Sequence, residues 1–288
     1  MKKNPEFSVK TESELFFFLQ KCFSGKSRNY VKGILKRGQV MVDGKMCREY
    51  SYALRPGQRV EVLMHTSHSH HKISLPVIHE DNYIIVIDKP YGMLSISTDK
   101  EREKTAYHIV NEYIKSCNKS GRIFIVHRLD RETSGVMLFA KSEQIKRVLQ
   151  ENWNDNVIRR GYTAVVEGKV QAHQRKIVSW LKQTKTFLVY SSNKKDDGKL
   201  AITNYQVLKT TNKYSLLDIS LDTGRKNQIR VHMKDIGHPV TGDKKYGALT
   251  NPFGRVGLHA SVLIVKHPSS GEEMRFEADM PGVFTTIF

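Results

Sequence analysis

Two apolar runs separated by a short polar segment constrain the fold of this chain more than any other feature. Residues 123–126 (Ile-Phe-Ile-Val) precede the polar segment, and residues 136–140 (Val-Met-Leu-Phe-Ala) follow it. Their length and their β-branched or aromatic content predict two buried strands. The loop between them carries a carboxylate, Asp130, with Arg128 and Arg131 on either side. Because nearby positive charge favours the charged form of an acid, we expect Asp130 to stay ionised.

The composition of this loop has a purely structural interpretation as well. Asp, Thr, Ser and Gly are ordinary turn formers, and loops that join two strands often contain them. Composition alone favours that interpretation. If the loop is functional, an ionised carboxylate is better suited to act as a nucleophile or an electrostatic partner than as a proton donor.

The chain is strongly basic, which indicates nucleic acid as a partner. Its 288 residues include 47 Lys or Arg and 29 Asp or Glu, for a net charge of +18. Basic side chains neutralise phosphates and release counterions on binding. A generally basic surface would give the same total charge, so the charge leaves both interpretations open. The basic residues are dispersed along the chain, and a disordered basic tail is therefore not indicated.

Other patterns argue against several classes of protein. No apolar stretch reaches the roughly 18 residues of a membrane helix, and the short apolar run at 15–19 has no basic segment before it. We therefore expect no membrane partner, and the cytoplasm is the expected compartment. The cysteines form no CxxC pair, which predicts neither a disulfide framework nor a zinc site. No phosphate-binding or dinucleotide motif is present, so we expect no metal and no small-molecule cofactor.

A polar segment with four histidines, residues 65–75, divides the chain into two predicted domains, 1–64 and 76–288. Ser and Thr separate the histidines and no apolar periodicity is present, which favours a linker over a metal site. The segment before it carries 13 basic and 6 acidic side chains through residue 64, a dense net charge of +7. The sequence leaves the oligomeric state open, a monomer included.

A basic helix is the main feature of the predicted N-terminal domain. The pattern indicates a helix from Arg28 to Lys36 with Ser27 as its N-cap. Arg28, Lys32 and Lys36 recur every four residues and share one face, which is free to meet solvent or phosphate. A solvated face is the usual interpretation of a lone basic helix. Short apolar runs around the Asp-Gly pair at 43–44 predict a hairpin after it.

Strands dominate the predicted C-terminal domain. The pattern indicates helices near residues 105–119 and 142–152. It predicts strands at residues 83–88, 162–167, 176–181, 201–209, 214–221, 258–265 and 273–278. Many strands with few helices predict an α+β domain built around a large mixed, mostly antiparallel sheet.

Two more segments contain candidate functional residues. Tyr162 lies in a predicted strand, where a tyrosine usually belongs to the core. Residues 221–232 open with a Thr-Gly turn and are predicted to continue as a helix, with Arg225 and Arg230 along its first turns. A solvated basic helix is the structural alternative for this second segment.

The string His-Arg-Leu-Asp-Arg-Glu-Thr-Ser-Gly at residues 127–135, followed by an apolar strand, resembles the active-site motif of the RluA-type pseudouridine synthases. The resemblance implies that Asp130 is the one essential catalytic residue. It also implies that Arg128 handles the RNA, by occupying the space that a flipped base vacates or by holding phosphate.

Later strings extend this resemblance over residues 76–280. Tyr162 matches a family tyrosine that packs against the target base, and Arg230 matches the arginine that pairs with the catalytic carboxylate. Arg225 matches a framing position. Asn227 stands where the family usually has histidine, so we expect fold and activity to survive without any protonation role at that position. Residues 10–64 resemble an S-four-like (alpha-L) RNA-binding domain, which implies that the basic helix grips structured RNA.

The resemblance implies an RNA-modifying isomerase that acts on uridine, and the attached RNA-binding domain favours large-subunit (23S) ribosomal RNA as its substrate. Transfer RNA remains an alternative substrate, and a non-catalytic RNA-binding or ribosome-assembly factor remains an alternative function. A carboxylate can attack the anomeric carbon covalently or deprotonate the sugar toward a glycal, and the sequence leaves both routes open.

Overall fold

The computed structural model describes residues 4–36, 38–63, 73–98, 101–151 and 153–288. The chain divides into two compact units, Met1–His71 and Lys72–Phe288. Most of the predicted linker, including its four histidines, lies outside the described residues. Ile73 and Leu75, at its end, pack into a core of the second unit, because both side chains are apolar.

The first unit contains two helices and six short strands. The helices are α1 (Leu15–Cys22) and α2 (Arg28–Lys36). The strands are β1 (Glu6–Ser8), β2 (Ser13–Glu14), β3 (Val40–Val42), β4 (Lys45–Met46), β5 (Ala53–Leu54) and β6 (Arg59–Val62). Four of them form a sheet in the order β1-β6-β3-β4, and β2 pairs with β5. These counts refer to the described residues.

The predicted basic helix is confirmed. Helix α2 begins at Arg28 and ends at Lys36, and the Ser27 hydroxyl accepts a hydrogen bond from the Tyr30 backbone amide at 3.2 Å. This contact satisfies one of the amides that a helix leaves free at its N-terminus. Val31, Ile34 and Leu35 on the apolar face are buried in a core shared with α1 and the small sheet.

The second unit is built around one large sheet. Its strands are β7 (Val77–Glu80), β8 (Ile84–Lys89), β9 (Phe124–Ile125), β10 (Ser134–Ala140), β11 (Val157–Glu167), β12 (Gln174–Gln183), β13 (Val189–Ser192), β14 (Lys199–Thr210), β15 (Tyr214–Leu221), β16 (Leu258–Lys266) and β17 (Glu273–Glu277). Its helices are α3 (Ala106–Cys117), α4 (Glu143–Glu151), α5 (Trp153–Asn156) and α6 (Gln228–Asp235), and Lys244–Tyr246 and Gly282–Thr285 form short 3-10 turns.

The sheet confirms the predicted α+β class. The order of its main path is β13-β12-β14-β15-β11-β16-β10-β8-β7, with β17 on β16 and β9 on β10. In the described part of the chain, β10 and β16 pair in parallel, and the other ladders are antiparallel. The predicted strands and helices are all present in this unit. The sequence missed β7 and β13, which are only four residues long.

The neighbouring strands β10 and β8 of this sheet are buried on both faces. In β10, Val136 and Leu138 belong to one core cluster, whereas Met137 and Phe139 belong to another on the opposite face. Strand β8 alternates between the same two clusters. A strand covered on both sides must be apolar at successive positions, which explains why the sequence shows continuous apolar runs here instead of alternation.

No helix among the described residues is long and apolar enough to cross a membrane. Within the same residues, no group of three or more His, Cys, Asp or Glu side chains is arranged to hold a metal ion.

Candidate active site

The loop that carries Asp130 is tied to the segment after β8 on both sides of this residue. On one side, the Ser95 hydroxyl donates a hydrogen bond to the Leu129 carbonyl at 2.7 Å and accepts one from the Leu129 amide at 3.1 Å. On the other side, the Gly92 amide donates to the Arg131 carbonyl at 2.9 Å. The Arg131 Nε returns a bond to the Gly92 carbonyl at 3.0 Å. These backbone contacts fix the position from which the Asp130 side chain extends.

A buried lysine at the end of β8 holds the segment that follows this strand. Lys89 is fully buried, and its Nζ donates to the carbonyls of Pro90 at 3.0 Å and Met93 at 2.8 Å. Burial lowers the pKa of Lys89 to about 8, although the negative charges of Asp130 and Glu132 oppose this shift. Lys89 thus holds the Pro90–Met93 turn and places a positive charge near the two carboxylates.

The parallel junction between β10 and β16 explains the glycine at the end of the motif. Gly135 pairs with Ala260, and a Cβ atom on Gly135 would lie 2.1 Å from the Ala260 carbonyl oxygen. Its φ of +113° is also a conformation that other residues rarely adopt. Only glycine permits this close approach, which places the start of β10, and so the end of the Asp130 loop, against β16.

Helix α6 places Arg230 beside the loop. The helix begins at Gln228, so the prediction that Arg225 lies on its first turn is wrong. Residues 222–227 form the preceding turn instead, and Asn227 takes a left-handed conformation with φ of 55°, which asparagine tolerates better than most residues. Arg230 is only 5% exposed, which rules out the solvated basic helix as its setting.

Arg230 is held by three carboxylates. Its Nε donates to Asp243 Oδ2 at 2.6 Å and its Nη2 to Asp243 Oδ1 at 2.7 Å, a bidentate buried pair. The remaining nitrogen, Nη1, lies 3.3 Å from Glu132 Oε2 and 3.9 Å from Asp130 Oδ2. Burial lowers the pKa of Arg230, but the bonds and charge of Asp243 outweigh it and raise the pKa. The guanidinium therefore remains charged beside Asp130.

Asn227 and Tyr246 complete the surroundings of this guanidinium. The Asn227 side-chain amide donates to the Tyr246 hydroxyl at 2.9 Å, and its carbonyl oxygen lies 3.5 Å from Arg230 Nη1. The Arg230 guanidinium carbon lies 5.1 Å from the centre of the Tyr246 ring, within the range of a cation–π contact. Asn227 thus has a neutral hydrogen-bonding role at the position where the sequence resemblance expected histidine.

The electrostatic setting of Asp130 differs from the one its neighbours in sequence predicted. Burial is the largest influence and raises its pKa, Arg230 lowers it, Glu132 raises it, and Arg128 lowers it further. The net pKa is raised, so burial outweighs the effect of the neighbouring arginines, and the expectation that Asp130 stays ionised remains a prediction. Flanking charge in the sequence carries no information about desolvation, which here is the stronger effect.

Tyr162 enters the same cleft from β11. Its ring packs against two core clusters. Burial raises the pKa of Tyr162 to about 12, with Arg160 opposing the shift and Asp130 adding to it. The phenol is therefore neutral at ordinary pH, and its ring presents an apolar face beside the carboxylate.

The cleft has a volume of about 1020 Å³. The structure brings Arg128, Asp130, Tyr162, Arg225 and Arg230 together on its lining. Arg128 and Arg225 are exposed there, and the Arg225 Nε donates to the Leu200 carbonyl at 2.9 Å. A cleft of this size, with one partly buried carboxylate, one buried arginine and an aromatic ring, is suited to bind a nucleoside.

The remaining predicted residues, Arg28, Lys32 and Lys36, belong to the first unit. Arg28 and Lys32 are exposed on α2, and the Arg28 guanidinium lies 5.7 Å from the centre of the Phe16 ring. The side chain of Lys36 lies outside the described part of the structure.

Sequence reasoning missed several residues that shape the site, above all Glu132, Asp243, Ser95 and Lys226. Glu132 stands inside the recognised motif, and Asp243 closes a Gly-rich loop string, so both were visible without a role. The contact of Glu132 with Arg230 links positions 98 residues apart in the sequence, which no local pattern reveals. Asp243 lies 13 residues from Arg230, beyond the helix that carries it, so local periodicity does not reveal this pair either.

Comparison with known proteins identifies the family of this chain. The family description RNA pseudouridylate synthase matches residues 83–235, which include the Asp130 loop, Tyr162 and Arg230. The human protein RNA Pseudouridylate Synthase Domain Containing 4 shares the fold with a TM-score of 0.59 and 23% identity, over 73% of this chain and 90% of that one. The fold and the family together define an RNA pseudouridine synthase, an isomerase.

Relatives with higher identity cover nearly the whole chain. An uncharacterized RNA pseudouridine synthase of Aquifex aeolicus is 34% identical over 98% of this chain and 95% of its own length. The ribosomal large subunit pseudouridine synthase D of Escherichia coli O157:H7 is 30% identical over 91% of this chain and 86% of its own length. The chain belongs to the RluA family of pseudouridine synthases.

Proposed function

We propose that this protein isomerises specific uridines in large-subunit ribosomal RNA, with Asp130 as the catalytic carboxylate. The observation that carries the proposal is the position of Asp130 in the cleft, beside the Tyr162 ring and 3.9 Å from the buried Arg230 guanidinium. Relatives named as ribosomal large subunit pseudouridine synthases support the choice of RNA.

In the proposed reaction, the target uridine leaves its stack and enters the cleft. Unstacking costs a few kcal/mol, by order of magnitude, and the Tyr162 ring offsets part of this cost by stacking on the base. Arg128, exposed at the cleft, fills the vacated space or holds a phosphate. Arg225 frames the bound nucleotide at the cleft edge.

Asp130 then acts on the sugar. The bond between C1′ and N1 of uracil breaks, the base turns, and a new bond forms between C1′ and C5, after which C5 loses its proton. Asp130 either bonds to C1′ as the bond to N1 breaks and is displaced when C5 attacks C1′, or removes the C2′ proton and later returns it. The proton that C5 loses is balanced by one that N1 gains. Arg230 keeps the carboxylate in place throughout. Because Asp243 takes two of the Arg230 donors, Arg230 stabilises the Asp130 anion only partly, which preserves its basicity and nucleophilicity.

We propose that residues 1–64 form an S-four-like RNA-binding domain and that Arg28, Lys32 and Lys36 contact phosphates. The exposed positions of Arg28 and Lys32 on α2 support this assignment. Residues 76–288 would be the catalytic domain, and the His-rich segment between them a linker.

Replacement of Asp130 tests the assignment. Asp130→Asn should lower pseudouridine formation in 23S ribosomal RNA by at least about a thousandfold, while the Kd for RNA changes by less than about twofold. The substrate is ribosomal RNA from a strain that lacks the gene. Carbodiimide-dependent primer extension then measures the pseudouridine that each protein forms in it. Because burial raises the pKa of Asp130, the anion costs stability at neutral pH, and the variant should melt no lower than the wild type.

The matched control is Glu132→Gln, which removes the other carboxylate of the same loop. It should retain most of the activity, since Glu132 contacts Arg230 and has no proposed contact with the sugar. The assignment of Asp130 as the catalytic carboxylate fails if Asp130→Asn still converts uridine. If only Glu132→Gln is inactive, Glu132 is the catalytic carboxylate instead.

A further inference from the structure

The exposed aromatic ring of Phe187 contacts a lysine that lines the cleft. Phe187 is at the tip of the β12–β13 hairpin and is 68% exposed. The Nζ of Lys226 lies 5.5 Å from the centre of its ring. Lys226 itself lines the cleft, and its charge acts on the pKa of Asp130. Lys226 therefore lies both against the Phe187 ring and on the lining of the candidate active site.

The backbone at Phe187 is unfavourable for this residue type. Its φ is +63°, in the left-handed region where a bulky side chain is a clear outlier and where glycine or asparagine serves a turn better. The hairpin itself imposes this conformation. The Thr184 amide donates to the Leu188 carbonyl, the Phe187 amide donates to the Thr184 carbonyl, and the Leu188 amide donates to the Thr184 hydroxyl. The turn thus presents a large aromatic ring to solvent at a position that does not favour one.

Three lysines lie in or beside the turn that carries this ring. The Nζ of Lys245 donates to the Phe187 carbonyl at 3.5 Å, and Lys185 is exposed in the same turn. Lys226 adds a third ammonium group on the side of the cleft. An aromatic face with cations around it matches the requirements of single-stranded RNA, which stacks a base on the ring while lysines neutralise the adjacent phosphates.

We propose that Phe187 is a stacking platform for an unpaired base of the substrate RNA, next to the nucleotide that enters the cleft. Lys226 and Lys245 would hold the phosphates on either side of that base. This inference rests on the proposed function only in taking RNA as the ligand. It adds a second base-binding site outside the catalytic cleft, on a hairpin that takes no part in the chemistry.

A short oligoadenylate is a suitable probe, because it contains no uridine and its binding is independent of isomerisation. Phe187→Asn removes the ring and keeps a residue that tolerates the left-handed turn. It should weaken binding of the oligoadenylate about 5- to 100-fold, as expected for the loss of one base stack. An abasic oligomer of the same length should bind this variant and the wild type equally. The slope of log Kd against log salt concentration should stay unchanged, since no phosphate contact is lost.

Three further variants complete the test. Phe187→Tyr should restore binding of the oligoadenylate, and Phe187→Trp should add a tryptophan emission that the oligoadenylate quenches and the abasic oligomer does not. Leu208→Asn removes another apolar side chain that is half exposed, on β14, and should change nothing.

The stacking site is rejected if Phe187→Asn binds the oligoadenylate as tightly as the wild type, or if it loses the abasic oligomer to the same extent. The stacking site is also rejected if the oligoadenylate does not quench the added tryptophan emission of Phe187→Trp. These outcomes are separate from failure of the proposed function. If the wild-type protein forms no pseudouridine while the ring effects persist, the assigned reaction is wrong and the stacking site stands.

Discussion

At the scale of single residues, the arrangement around Arg230 determines how Asp130 can act. Asp243 binds Arg230 through two short bonds and is only 1% exposed, whereas Asp130 lies 3.9 Å from the same guanidinium. Arg230 is thus anchored by Asp243 and oriented toward Asp130. A strong bidentate pair with Asp130 would have stabilised its anion and made it a poorer nucleophile.

Asp243→Asn tests this division of roles. Loss of the charged anchor frees Arg230 to shift, and a displacement of about 1 Å near the reacting atoms can lower kcat about a hundredfold. We expect a fall in kcat of about 10- to 100-fold with an unchanged Kd for RNA. Single-turnover kinetics and RNA binding measure the two quantities.

Asp222→Asn is the matched control for that variant, because Asp222 is exposed and bonds to Asn204 and Lys176 without contacting Arg230. Its activity should equal that of the wild type. A wild-type kcat in Asp243→Asn would show that Asp243 does not position Arg230.

At the scale of secondary-structure elements, the parallel junction of β10 and β16 sets where the loop begins and ends. The Ser134 hydroxyl contacts His259 Nδ1 at 2.8 Å across this junction and accepts a bond from Arg255 Nη2 at 2.7 Å. Together with the Ser95 and Gly92 contacts on the other side, these bonds fix both ends of the Asp130 loop. The loop is short and polar, and hydrogen bonds to neighbouring segments hold it at both ends.

Gly135→Ala tests the junction. A Cβ atom 2.1 Å from the Ala260 carbonyl oxygen cannot be accommodated without separating the two backbones. We expect the free energy of unfolding to fall by about 3 kcal/mol, and pseudouridine formation to fall with it. Urea denaturation measures the first effect.

Gly271→Ala provides the comparison, because Gly271 also has a positive φ of 73° but open space around its Cβ position. It should lose only about 1 kcal/mol, from backbone strain. Equal losses in the two variants would mean that the close approach to β16 is unimportant.

At the scale of the whole second unit, buried polar contacts join α6 to the sheet. His232 is fully buried, with Nε2 2.9 Å from the Ser179 hydroxyl and Nδ1 2.8 Å from the Thr203 hydroxyl. Burial lowers the pKa of His232 to about 4. Because the helix also carries Arg230, the same contacts link the stability of the unit to the geometry of the site.

The lowered pKa of His232 predicts how stability depends on pH. The unfolded chain takes up the His232 proton near pH 6.5, whereas the folded chain takes it up only near pH 4. The contribution of His232 to stability is therefore complete above pH 6.5 and is lost as the pH falls toward 4. The loss from this residue should reach about 3 kcal/mol. His232→Gln should flatten this part of the curve of unfolding free energy against pH, as measured by urea denaturation.

The matched control is His173→Gln, because His173 is exposed on the same unit. This variant should leave the same curve unchanged. If His232→Gln keeps the full acid dependence, burial of His232 is not its source.

The sequence by itself determined the class of the fold and the candidate residues of the site. Continuous apolar runs predicted buried strands, and the Ser27 cap predicted the start of α2, because these signals depend on local periodicity and hydrogen bonding. Asp130, Tyr162 and Arg230 were identified by motifs, and the structure brings all three to one cleft.

Only the tertiary structure decided how those residues work. The raised pKa of Asp130, the contact of Arg230 with Glu132 and the approach of Phe187 to the cleft all depend on groups far apart in the chain. Desolvation and long-range pairing arise from the packed fold, and flanking residues carry no record of them. The sequence therefore named the carboxylate, and the folding of β10, β16 and α6 around it set its charge and its partners.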